Sequence, residues 1–200
     1  MRASEARRCG QEISPQSSIA APHTRIVSRT HSRSGVADTS VAGMVQTEAK
    51  LEELGLKLPP MPSALASYIP CVRSGNMLHT AGHVAFRNFE TKELYQGKVG
   101  KDYTVEEAAD LAKLIGLELM ATMKNEIGDL DKVKRIVKVV GFVNCPDDFG
   151  QQPEVINGCS NVMTAVFGVE RGTHARSAVG TNSLPRQAPV EIELIAEVAD

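Results

Sequence analysis

From residue 104 the chain carries a sustained helical pattern. Val105, Ala108, Ala109, Ala112, Ile115, Leu119, Met123 and Ile127 recur every three or four positions, the spacing that gathers side chains on one helix face. Thr104 followed by Glu107 is a capping-box signature and Gly128-Asp129 a stop signal, so a helix is predicted over 104–127. A second stripe, Val155, Ile156, Cys159, Val162, Met163, Val166 and Phe167, predicts a helix over 153–167 with Gly168 at its C-cap. Between them, 133–143 holds Val, Ile and Phe at most positions and reads as a central strand ended by Pro146-Asp147-Asp148.

Elsewhere the period is two. In 190–198 alternation sets Val190, Ile192, Leu194 and Ala196 on one face and Glu191, Glu193 and Ile195 on the other. In 174–180 it separates Ala175, Ser177 and Val179 from His174, Arg176 and Ala178. Two β-type runs, 68–73 and 76–82, flank Ser74-Gly75-Asn76 and predict a hairpin. A short helix is expected at 47–54, followed by an extended crossing through Pro59, Pro60 and Pro62. The domain's order β-β-α-β-α-β-β predicts an α+β fold, a mixed sheet with two helices packed on one face.

Charge divides the chain. Residues 1–43 hold six Arg against three acids, a net +3, and contain no Leu, Phe, Tyr or Trp, whereas 44–200 carries −5. The first segment buries too little to offset its ordering entropy and is expected to be a disordered basic tail. It is either a targeting segment, which would send the protein to the mitochondrion, or an extension preceding a start at Met44. Four scattered Cys without a CxxC pair fit a reducing, cytoplasmic setting, and no apolar run nears the ~18 residues of a membrane span. The acidic domain argues against nucleic acid as a partner.

Under helices confined to one face, Arg176, Glu191 and Glu193 share the helix-free face. They form either a weak solvated ion pair or, if oligomerisation covers that face, a partly dry site. Other candidates point to structure. His79 and His83 on a strand stand too far apart for one metal ion. Cys159 lies on an apolar stripe and reads as core. Gly158-Cys159-Ser160 lacks the second Gly of a hydrolase elbow, and no adjacent His is predicted. Gly97-Lys98-Val99-Gly100 reads as a turn.

His174-Ala175-Arg176-Ser177-Ala178-Val179, then Leu184-Pro185, then Val190-Glu191-Ile192-Glu193-Leu194-Ile195-Ala196 resemble the C-terminal signature of the reactive intermediate deaminase family (RidA, YjgF). Ser74-Gly75-Asn76-Met77-Leu78, Gly128-Asp129-Leu130 and Asp148-Phe149 resemble its other blocks in the same order. The resemblance implies a chorismate-mutase-like fold and a homotrimer with small-carboxylate sites at the subunit clefts. It implies hydrolysis of reactive 2-imino or enamine acids to 2-keto acids and ammonia, with no metal or cofactor. By motif position Arg176 would bind the substrate carboxylate and Glu191 would position or activate water. Tyr68, Gly82 and Asn157 match pocket positions, Asn157 if 150–154 is an insertion. The chain departs from better-studied members in three ways. Ala81-Gly82-His83 replaces a Ser-Gly-Gln, so His83 would take over the Gln's hydrogen-bonding or proton-carrying place. The segment 151–172 is longer, and its end, 168–172, adds a loop before Arg176. A non-catalytic carboxylate-binding trimer is the alternative, and a translation-inhibiting endoribonuclease the third reading.

Overall fold

The computed structural model describes residues 46–61 and 66–200; the expected basic tail over 1–43 lies outside the described residues, as does Pro62. Three helices form, α1 (Gln46–Glu53), α2 (Val105–Ile127) and α3 (Gln152–Gly172). The capping box that starts α2 is closed: the Glu107 N–H donates to Thr104 Oγ1 at 3.2 Å and the Thr104 N–H to Glu107 Oε2 at 2.8 Å. Gly128 ends it at φ 79°, donating to the Lys124 carbonyl at 2.7 Å, a backbone turn few other residues adopt cheaply. In α3, Gly168 leaves helical geometry as expected (φ 77°, ψ 168°), but the chain then winds one further turn to Gly172. The loop expected at 168–172 is therefore mostly helical.

The strands are β1 (Cys71–Ser74), β2 (Met77–Thr80), β3 (His83–Val84), β4 (Phe86–Asn88), β5 (Glu93–Leu94), β6 (Val133–Asn144), β7 (Ala175–Thr181) and β8 (Val190–Val198). The main sheet runs β1-β2-β8-β6-β7, with β3 also pairing β8, while β4 and β5 form a separate ribbon between β3 and α2. All main-sheet pairs are antiparallel except β6 with β7, which α3 connects as a parallel crossover. The sheet is mixed, as expected. The β1–β2 turn is Gly75-Asn76, with Gly75 at φ 60°, the position a type II′ turn reserves for glycine.

α2 packs over β8, β1 and β2, and α3 over β6 and β7. Val190, Ile192, Leu194, Ala196 and Val198 are buried beneath them, and the intervening Glu191, Glu193, Ile195 and Glu197 are only half-buried. The short helix expected at 47–54 forms as α1, a third helix that docks beside α3 rather than on the sheet. The Gln46 and Thr47 N–H groups donate to Asp131 at 2.8 and 2.9 Å, and Arg171 donates to Thr47 Oγ1 and the Leu130 carbonyl at 3.1 Å each. Among the described residues no helix is long and apolar enough to cross a membrane.

The two long helices meet closely through glycine. A Cβ at Gly158 would stand 1.9 Å from the Ala109 carbonyl oxygen, and one at Gly116 would stand 2.7 Å from Val162 Cγ1. The first neighbour is backbone and cannot step aside. Gly158→Ala is therefore expected to lower the unfolding free energy by about 2 kcal/mol, as overpacking does, read as a lower urea midpoint at unchanged m-value.

Candidate functional site

Register decides which way each candidate points, since paired positions share a face. Arg176 on β7 pairs with Val139 on β6, which pairs with Leu194 on β8. Val139 and Leu194 are buried under the helices at 0% and 2% exposure, so Arg176 faces α3. This corrects the expectation that Arg176 shares the helix-free face with Glu191 and Glu193. Alternation alone could not orient β7, because its two faces are about equally apolar.

Beneath α3 the guanidinium is held at one nitrogen. Arg176 Nη1 donates to Asn157 Oδ1 at 2.8 Å and to Ser160 Oγ at 3.1 Å. Nε and Nη2 take no partner among the described residues, which leaves unbonded a planar pair of donors of the kind that suits a carboxylate. The candidates Asn157 and Arg176 are thus brought into direct contact. Ser160 also lies 3.0 Å from His174 Nε2, and His174 Nδ1 lies 2.6 Å from the Gly172 carbonyl oxygen. A carbonyl only accepts, so Nδ1 carries the proton and Nε2 receives the Ser160 hydroxyl. Burial, and then the Arg176 charge, hold His174 below its usual range, keeping the imidazole neutral.

Glu191 occupies the opposite face. It pairs with Phe142, which pairs with Val179, and its carboxyl lies across Gly82, where a Cβ would stand 2.0 Å from Oε1. The sequence-predicted Gly82 and Glu191 therefore meet, as do Asn157 and Arg176, but no single chain joins the two pairs. Glu191 takes no hydrogen bond among the described residues; burial first and Glu193 second raise its pKa. Tyr68 stands apart, 45% exposed ahead of β1.

A bulge explains Gly82 and reverses His83. His79 pairs with Ile195 but His83 with Ile192, so one extra residue at Ala81-Gly82 flips the face that follows. His83 turns inward, 5% exposed, bonding Thr122 Oγ1 and the Ala81 carbonyl at 2.8 Å each. It is a structural pin between β3 and α2, not a replacement for a pocket Gln. His79 and His83 face opposite ways. Among the described residues no three His, Cys, Asp or Glu groups gather as metal ligands. Cys159 is fully buried and its thiol is pushed up to about 12, chiefly by burial; it is core, as expected. The Gly97–Gly100 turn is structural too: Lys98 Nζ reaches Asn144 Oδ1 at 2.7 Å and its N–H bonds Asp102 at 2.8 Å.

The residues missed were Ser160 and His174, and the expectation that no His adjoins Gly158-Cys159-Ser160 is overturned. Asn157 and Ser160 are one helical turn apart, while His174 and Arg176 are two apart on a strand. Each pair shares a face, and only the pairing of α3 with β7 brings the two faces together.

The sequence matches the family described as "YjgF/chorismate_mutase-like, putative endoribonuclease" over residues 48–198. It is similar to Protein TCP17 of Trypanosoma cruzi, 38% identical over 80% of this chain and 98% of that protein. Two crystal structures share the fold. Atu1372 of Agrobacterium tumefaciens, of unknown function, is 39% identical with a TM-score of 0.69, covering 77% of this chain and 94% of that one. A putative endoribonuclease of Shewanella oneidensis is 31% identical with a TM-score of 0.72, covering 76% and 99%.

Beyond the bulge, the start of β4 is tied to Glu118, fully buried in α2. Its Oε1 accepts the Phe86 N–H at 3.2 Å, and its buried Oε2 has no partner. Burial raises the carboxyl from its ordinary 4.5 to about 8, so in that window the folded protein keeps a proton that the unfolded chain has released. The wild type is expected to lose stability relative to Glu118→Gln as pH rises from about 4.5 to about 8. Urea unfolding of both proteins across that range measures the divergence.

Proposed function

Because the chain belongs to the YjgF/chorismate mutase-like family, we propose that it hydrolyses reactive 2-imino and enamine acids to 2-keto acids and ammonia as a homotrimer with sites between subunits. The observation that carries this reading is the free donor edge of Arg176: Nη1 is fixed by Asn157 and Ser160 while Nε and Nη2 are unbonded. A substrate carboxylate would take that edge. Glu191, whose burial favours its neutral form, would position water against C2 of the imine. Water oxygen bonds C2 while one of its protons passes through the carboxyl to nitrogen; the second proton then follows by the same carboxyl as the C–N bond breaks and the C2 carbonyl forms, so that ammonia and the keto acid leave.

Within one chain Glu191 and Arg176 lie on opposite sheet faces, so the reaction needs a second copy to bring one subunit's open face against another's Arg176 edge. The open face suits this. Val140, Phe142 and Ile195 are half-buried on it, with Val72 at 50% and Val179 at 44% exposure beside them, an apolar strip of the sort that subunit contacts cover. A ribonuclease reading draws on the names of neighbours, but the −5 charge of residues 44–200 offers little to neutralise phosphates. A trimer that binds carboxylates without turnover remains the alternative.

Freshly generated 2-iminopropanoate separates these readings through release of ammonia and keto acid. Arg176→Ala is expected to lower kcat/KM at least ~30-fold, about the least that losing a charged hydrogen-bonded partner costs, with the sedimentation coefficient of a trimer unchanged. Equal rates for wild type, variant and buffer would leave the carboxylate-binding scaffold instead.

A further inference from the structure

The turn before β7 supplies none of the groups assigned above to imine hydrolysis, yet its geometry is specific. Gly168 turns the chain at φ 77°, and Gly172 then folds back so tightly on α3 that a Cβ there would stand 2.5 Å from the Met163 carbonyl oxygen. This close return delivers the Gly172 carbonyl to His174 Nδ1 at 2.6 Å, which fixes the imidazole with Nε2 aimed at Ser160 Oγ, 3.0 Å away. Ser160 Oγ also accepts from Arg176 Nη1 at 3.1 Å.

A hydroxyl donating to a neutral imidazole, an imidazole oriented through its other nitrogen, and a cation beside the oxygen are the features of an activated nucleophile. A packing hydrogen bond needs none of the last two. The group is half-buried rather than sealed, and it lies where α3 covers β7, the edge strand of the sheet.

We propose that Ser160 and His174 form a nucleophile–base pair that hydrolyses small esters bearing a free carboxylate, through an acyl-Ser160 intermediate. Ser160 Oγ bonds the acyl carbon while its proton passes to His174 Nε2, and the Arg176 guanidinium offsets the charge that develops on oxygen. The C–O bond to the leaving alcohol breaks as that alcohol takes the proton from Nε2. Water, deprotonated by His174, then attacks the acyl carbon and returns Ser160, so that ester and water yield acid and alcohol. The choice of a carboxylate-bearing ester rests on the reading of Arg176 given above, whereas the nucleophile–base pair does not.

The test is incubation of the full chain with mono-4-nitrophenyl succinate and, separately, 4-nitrophenyl acetate, following nitrophenolate release and mapping the acyl group by peptide mass spectrometry. Acylation at Ser160 is expected, with release about 100-fold slower in Ser160→Ala and His174→Gln, the scale of general-base assistance. Arg176→Ala is expected to abolish the preference for the succinate ester over the acetate. Circular dichroism of each variant establishes that the fold is kept. No acyl group on Ser160, or equal release from wild type and His174→Gln, would overturn the pair. Ser160 acylation with a succinate preference that survives Arg176→Ala would overturn the substrate class alone. No imine enters these assays, so loss of the deaminase reading and loss of this one are separable.

Discussion

One row of residues across the sheet governs where the chemistry sits. Leu194, Val139 and Arg176 occupy paired positions on β8, β6 and β7, so all three point beneath the helices. At the first two the space is dry and apolar. At the third, on the edge strand, it holds a guanidinium, which deep burial would penalise by several kcal/mol without partners. The edge position resolves the conflict: Asn157 and Ser160 satisfy one nitrogen from α3 while the rest of the head stays at the rim. An edge strand is otherwise a liability in a sheet; here it is the place where a charge can be both fixed and accessible.

The same reasoning separates the two halves of the proposed site. Glu191 lies two strands inward and on the other face, and its carboxyl rests on the flat backbone of Gly82. That contact exists because the bulge at Ala81-Gly82 shifts register between β2 and β3. Without the extra residue, His83 would point to the open face and Gly82 to the helices. The bulge therefore does two things at once: it buries an imidazole against Thr122 and opens a Cβ-free floor for the Glu191 carboxyl.

Much of the fold was legible because its signals are local. The capping box of α2, the positive-φ Gly128 and Gly75, and the strict alternation of β8 each follow from chemistry within a few residues, and each stands where the pattern placed it. What could not be read was parity in weakly patterned strands. β7 offers Ala, Ser and Val on one side and His, Arg and Ala on the other, so only its pairing with β6 decides which side is covered. The bulge was invisible for the same reason, since one added residue inverts a face without changing composition. Motif resemblance named Arg176, Asn157, Gly82 and Glu191 as candidates and gave no role to Ser160 or His174, whose meeting depends on a long-range contact.

That contact ties the turn after Gly168 to the side chains around Arg176. A turn of this kind at the end of a helix can be neutral. Instead its last residue is a glycine pressed onto the backbone of α3, and the carbonyl thus placed sets the tautomer of His174. A hydroxyl has one proton to give; with Nε2 unprotonated, Ser160 gives it to the imidazole and presents its lone pairs to Arg176. The direction of every hydrogen bond in the chain from Gly172 to Asn157 is consequently fixed from one end. A turn that orders the network around the half-buried Arg176 guanidinium acts on whatever that guanidinium binds, and so ties this end of α3 to the candidate site as much as to the fold.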